Sequence, residues 1–184
     1  FNPLTRQPTN LDFASPSQFR FTLLKVPNVE YFVTDVNLPG VSFSGDATIN
    51  TRFTSVHFMG DSMEFEDLEV TFLVNEALEN YREIHDWMTG IGFPESTKQY
   101  SDAITDAGTL RSGADKVSTL ASDATLMIMT NKNNPIVRIT FKNAYPTSLS
   151  GMNFDTKDTD ATGLSATMTM NYDFYSLEVL GNKV

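Results

Sequence analysis

Side chains able to do chemistry are scarce in this chain of 184 residues. It holds two histidines, His57 and His85, and no cysteine, which removes thiolate nucleophiles, disulfides and cysteine metal sites together. His57 follows the strand-like run Phe53-Thr54-Ser55-Val56 and His85 stands between Ile84 and Asp86, so neither fits an H-E-x-x-H zinc helix. A G-x-S-x-G elbow, a Walker A loop and a dinucleotide fingerprint are also missing. Gly90 and Gly92 come after helical sequence, the wrong side for cradling a phosphate. Two acidic clusters remain. Glu64, Glu66, Asp67 and Glu69 would supply the acid and base of glycoside hydrolysis if two of them converged in a cleft. Phe65 and Leu68, interleaved with them, fit a solvated strand entry equally well. Asp155, Asp158 and Asp160 precede Thr162-Gly163, and residues 158–163 match the first half of a calcium loop. Position 12 of that loop is Thr169, where calcium requires a bidentate Glu, and the flanks read as strands. No catalytic residue, cofactor or metal is expected.

The elements available to position these groups are mostly strands. Residues 1–17 carry three prolines without periodicity and read as an extended arm. Phe19, Phe21 and Leu23 alternate with polar residues, Pro27-Asn28 turns the chain, and Tyr31 to Val36 repeats strand composition, which predicts an antiparallel hairpin. Residues 41–63 predict a long hairpin or loop. Its apolar Phe43, Ile49, Phe53, Val56 and Phe58 do not share one obvious core face, so an intermolecular surface and a pair of ordinary core strands both fit. Leu68, Val70, Phe72 and Val74 mark another strand. Asn75 then fits a helix N-cap, Tyr81, Ile84 and Met88 form a helical stripe widened by Trp87, and Gly90 supplies a stop. Residues 93–123 are rich in Ser, Thr, Asp, Ala and Gly and read as a polar insertion with at most short helical turns. Strands are expected again at 126–129, at 136–141, from Tyr145 towards Phe154, and as one long terminal strand from Leu164 to Leu180. The fold class is therefore mainly β, an antiparallel sandwich or barrel with one flanking α-helix, in a single domain spanning 1–184.

The 13 basic and 23 acidic side chains give a formal charge of -10, which opposes tight binding to a phosphate backbone. No apolar run reaches the ~18 residues that span a bilayer, and the opening residues lack the apolar region of a signal peptide, so a soluble chain without membrane insertion is expected.

The run from Gly60-Asp61 through Phe65-Glu66-Asp67 and Val70-Thr71 to Asn75-Glu76, followed by a helix ending in Asp86-Trp87, resembles the tail-tube proteins of contractile-tailed bacteriophages. Tyr145-Pro146-Thr147 and the terminal Asn171-Tyr172-Asp173-Phe174-Tyr175 extend the resemblance, which covers most of 18–92 and 135–178. It implies a barrel-like subunit with one flanking helix. Six copies would form a homo-hexameric ring, and rings would stack through the long hairpin and terminal arms. The tube would carry phage DNA, without tight binding, when the sheath contracts. It also implies partners in the tail sheath, baseplate and tail terminator proteins, a place in the virion tail, and assembly in the host cytoplasm. Residues 92–123 depart from that pattern, which leaves a tube-initiating baseplate protein or a type VI secretion tube subunit as alternatives. From another class, a carbohydrate-binding or glycoside-hydrolysing sandwich is the competitor. On the tube reading, Phe43, Ile49, Phe53, Val56 and Phe58 contact the adjacent ring. Tyr81, Ile84, Trp87 and Met88 pack the helix onto the sheet. Glu69 and Asp173 are candidates to line the channel.

Overall fold

The computed structural model describes residues 13–108, 120–155 and 163–180. The N-terminal arm up to residue 12, the Asp158–Asp160 half-loop and part of the polar insertion lie outside the described residues. The chain begins with β1 (Phe19–Leu23), α1 (Pro27–Glu30) and β2 (Val33–Val36). Four short strands follow, β3 (Val41–Ser44), β4 (Ala47–Asn50), β5 (Ser55–Phe58) and β6 (Ser62–Phe65), and then β7 (Leu68–Leu73). Two helices, α2 (Glu79–Gly92) and α3 (Thr97–Gly108), separate these from β8 (Ser122–Met129), β9 (Pro135–Leu149), β10 (Ser165–Asn171) and β11 (Phe174–Val179).

Seven strands form one antiparallel sheet in the order β1-β8-β9-β10-β7-β2, with β11 pairing β9 beside that path. The 15-residue β9 serves two leaves. Its first part pairs β8 and β11, and its last part, from Tyr145, pairs β10. Asn143, between the two parts, takes a left-handed φ of 55°, a conformation that Asn tolerates better than most side chains. The first leaf is thus β1, β8, β9 and β11, and the second is β9, β10, β7 and β2. Between them sit Phe21, Leu23, Leu126, Ile139 and Phe141 from one side and Leu68, Val70, Phe72, Met168 and Met170 from the other, all buried. The alternation of buried Leu68, Val70 and Phe72 with more exposed neighbours along β7 is the period-2 pattern read from its sequence.

Four expectations are corrected. β1 and β2 do not form a hairpin: β1 pairs β8 and β2 pairs β7, because Pro27 starts a short helix where a turn was expected. Residues 97–108 form a 12-residue helix instead of short turns. The terminal strand breaks at Tyr172-Asp173, so β10 belongs to the second leaf and β11 to the first. The strands expected separately at 136–141 and from Tyr145 are one strand, β9.

The flanking helix also differs in detail. Helix α2 begins at Glu79, after Leu78 in a left-handed conformation, yet Asn75 Oδ1 still accepts the Glu79 N–H at 2.7 Å. Gly90 is not a stop but lies buried inside the helix, where a Cβ would approach the Ala103 methyl of α3 to 2.8 Å. Its missing side chain lets the two helices meet.

Candidate functional site

The segment 41–65 leaves the sandwich as a two-tier hairpin. At the base, β3 pairs β6 with Val41 opposite Phe65 and Phe43 opposite Met63. At the tip, β4 pairs β5 with Ala47 opposite Phe58 and Ile49 opposite Val56. Because directly opposed residues share a face, each tier has one apolar face and one polar face, the latter carrying Ser42 and Glu64 below and Thr48 and His57 above. Between the tiers two residues, 45–46, face three, 59–61, which defines a bulge. Gly60 is obligatory there, since a Cβ would lie 2.1 Å from the Ser44 carbonyl oxygen, and Gly45 takes a φ of 82°. Phe43, Ile49, Val56 and Phe58 are all exposed, and Phe53 at the tip is 92% exposed.

The hairpin root is gripped by two tyrosines that sequence reasoning left without a role. Tyr172 Oη donates to the Glu66 carbonyl at 2.8 Å and Tyr175 Oη donates to the Pro39 carbonyl at 3.4 Å, one on each leg of the hairpin. Phe65, Phe141, Tyr172 and Tyr175 form one aromatic cluster with ring centroids 5.0 to 6.2 Å apart. Burial, and then the neighbouring Tyr175, Asp67 and Glu66, push the Tyr172 phenol up to about 12. The signal that marks these positions is the aromatic spacing Tyr172, Phe174, Tyr175, whose two-sided projection appears only once the strand breaks.

Ile84 and Trp87 of α2 are buried, and Tyr81 and Met88 are half-buried against the same core. Trp87 Nε1 donates to the Leu120 carbonyl at 2.7 Å, and Lys25 Nζ donates to the same oxygen at 3.2 Å while lying 5.2 Å from the Trp87 ring centre. Burial pulls the Lys25 ammonium below its usual range. Helix α3 carries a signal the composition obscured: Ser96-Thr97-Lys98-Gln99 has the capping-box sequence, and one half of the box is made, with Gln99 Oε1 accepting the Ser96 N–H.

The two leaves differ in charge. The strands of the first leaf carry Arg20, Arg138 and Lys142, each in an ion pair, with Glu30, Glu178 and Asp123 respectively. In the second leaf, β2, β7, β10 and the part of β9 from Tyr145 carry Asp35 and Glu69 and no Lys or Arg. On its outer face Glu69 lies opposite Thr169 and Thr71 opposite Thr167, with the Thr71 and Thr167 hydroxyls 3.1 Å apart. Asp173 is exposed at the break between β10 and β11, where it accepts a hydrogen bond from Asn143 Nδ2.

The acidic cluster 64–69 is divided among elements, with Glu66 and Asp67 both near Tyr172. Glu64 stands on the hairpin, Glu66 Oε2 accepts the Gly40 N–H, and Glu69 stands on the second leaf. His85 is exposed beside Asp86. Among the described residues no three His, Asp or Glu side chains are placed to hold one metal ion, and no helix is long and apolar enough to cross a membrane. A cleft of about 520 Å3 lies between β1 and β2. Three consecutive residues of each strand, 19–21 and 33–35, line it, and these two strands end the sheet order.

Chains of contractile injection machines share this fold. The tube-terminating cap of the anti-feeding prophage superposes with a TM-score of 0.57 at 11% identity, over 97% of this chain and 99% of that one. A chain of an extracellular contractile injection system, in its extended sheath-tube complex, gives 0.55 at 13% identity over 92% and 94%. The sheath/tube terminator structure of such a system gives 0.56 at 14% identity over 92% and 100%. The fold of this chain is thus the fold of those chains. No curated protein sequence matches the chain. The phage tail tube protein family model matches residues 8–178, and the chain belongs to that family of structural tube subunits.

Proposed function

We propose that the chain is the inner-tube subunit of a contractile tail, closing with five other copies into a ring and stacking ring on ring through its hairpin. The observation that carries this is the apolar face of 41–65, anchored to the sandwich by Phe65 but with Phe43, Ile49, Val56, Phe58 and Met63 left exposed in the described chain. A lone two-stranded hairpin is marginal in water, and a projecting row of aromatic and aliphatic side chains is a liability in a monomer. Against the next ring, Phe43, Ile49, Phe53, Val56 and Phe58 become the buried contact. The unpaired edges of β1, β2 and β11 supply lateral contacts around a ring, where closure removes the edge.

The second leaf suits the channel wall. Its threonine-rich face with Glu69 offers DNA no cation to neutralise phosphate, so a polyanion passes without being held. Asp173 would stand at the margin of that wall. The subunit performs no covalent chemistry in this role. Its partners are further copies of itself, the contractile sheath around the tube and the baseplate and terminator proteins at its ends, and its place is the virion tail.

Electron microscopy of the purified chain tests this directly. Rings or tubes are the expected outcome, and replacing Phe53 and Phe58 with Ser should abolish stacking while leaving soluble, folded subunits. Uniform monomers at high concentration would overturn the proposal.

A further inference from the structure

The chain has eight methionines, at 59, 63, 88, 127, 129, 152, 168 and 170, and their surroundings divide sharply. Met168 and Met170 are fully buried between the leaves, and Met88, Met127, Met129 and Met152 are half-buried. Met59 and Met63 alone are exposed, at 87% and 51%, and both belong to the hairpin. Met59 is in the bulge between the tiers, and Met63 lies directly opposite Phe43 on the apolar face of the base. A flexible, polarisable thioether fills irregular gaps in a docked surface well, but its sulfur is open to oxidants when the surface is undocked.

We propose that Met59 and Met63 form an oxidation site that switches off stacking of the free subunit, an inference that rests on the stacking role of the hairpin. The reactant is a hydroperoxide. The methionine sulfur attacks the O–O bond with a lone pair, one oxygen is transferred to give the sulfoxide, and the other leaves as water when the reactant is hydrogen peroxide. The thioether is oxidised by two electrons and the peroxide is reduced by two. The product carries a strongly accepting S=O group in place of an apolar sulfur, and docking it against a neighbouring ring strands that acceptor away from water. Neither residue is part of the sandwich core, so the oxidised subunit keeps its fold. Once stacked, the same two sulfurs are covered, so the site is open only in free subunits and at the growing end.

The test treats the full soluble chain with hydrogen peroxide, locates sulfoxide by peptide mass analysis, and measures the concentration needed for tube growth. Met59 and Met63 should oxidise first and Met168 and Met170 last. Growth should then require about ten-fold more protein, with an unchanged unfolding midpoint, and methionine sulfoxide reductases should restore it. A Met59→Leu, Met63→Leu double variant, compared with its own untreated sample, should show no change in growth after peroxide. Preformed tubes should protect both residues. Unchanged growth of chains carrying sulfoxide at 59 and 63, or equal inhibition of the double leucine variant, overturns the switch. If Phe53→Ser and Phe58→Ser still block growth in that case, the stacking role stands and only the switch falls; if they too have no effect, the stacking role itself is wrong.

Discussion

Phe72 and Phe58 both occupy alternating strands, yet Phe72 is fully buried and Phe58 is half exposed. The difference lies in what stands across from each. Phe72 in β7 faces another leaf supplied by the same chain, whereas Phe58 in β5 is paired with β4 and stands outside the core cluster of the described residues. Period-2 patterning therefore reports that a face is to be buried without reporting by which molecule. The sandwich is completed within the subunit, and it is the proposed stacking that would cover the hairpin's face.

Substitutions that separate the two regions should have graded effects on the subunit. The largest is expected at Trp87, which is 6% exposed and donates to the Leu120 carbonyl. Trp87→Ala should cost about 3–5 kcal/mol in urea unfolding, and an unaltered midpoint would remove the helix from the core. Next is Gly60→Ala, where the clash with the Ser44 carbonyl forces the bulge to move at a cost of about 1–3 kcal/mol. Hydrogen exchange should show that loss confined to 41–65, and protection lost throughout β7 and β10 would show that hairpin and sandwich fold as one unit. Asn143→Ala places a Cβ-bearing residue without a local hydrogen-bonding side chain at positive φ and should cost about 1–2 kcal/mol. Asn143→Gly should recover most of it, and equal losses for the two variants would place the effect in the Asp173 contact.

Tyr172 gives a pH-dependent test. Its pKa is raised in the fold to about 12 from an ordinary 10, so the neutral phenol is the stabilised form. Stability from this group is fully present below pH 10 and is lost as pH climbs towards about 12. Tyr172→Phe should cost about 1 kcal/mol at neutral pH through the lost bond to Glu66, and should flatten the alkaline decline that titration melts record in the parent. The smallest effect on the subunit belongs to Phe53→Ser, within about 0.5 kcal/mol. Pelleting assays should nevertheless find its tube growth abolished.

Legibility followed the range of the interactions. The strand at 68–74 and the stripe Tyr81, Ile84, Met88 were readable because each pattern is contained in a few consecutive residues. The pairing of β1 was not, because its partner β8 lies more than 90 residues away and Pro-Asn serves a turn and a helix start alike. Helix α3 was hidden by its polar composition, although its Ser-x-x-Gln start was in plain view. The split of the terminal strand was invisible because polar and apolar residues go on alternating across Tyr172-Asp173. The hairpin was legible as a surplus of apolar residues, but its bulge and its tyrosine anchors depend on register and on strands over 100 residues downstream.

The two legs of the hairpin enter the sandwich as β2 and β7, which are neighbours in the second leaf. A pull on the hairpin tip therefore draws both strands in the same direction and leaves their mutual register unloaded. The tension passes instead to the six-residue ladder between β7 and β10, where the hydrogen bonds lie across the direction of pull and must yield together in shear. A stack of such subunits would transmit an axial thrust or drag as a chain of sheared ladders, stiff along its length, without opening any one strand pair like a zip.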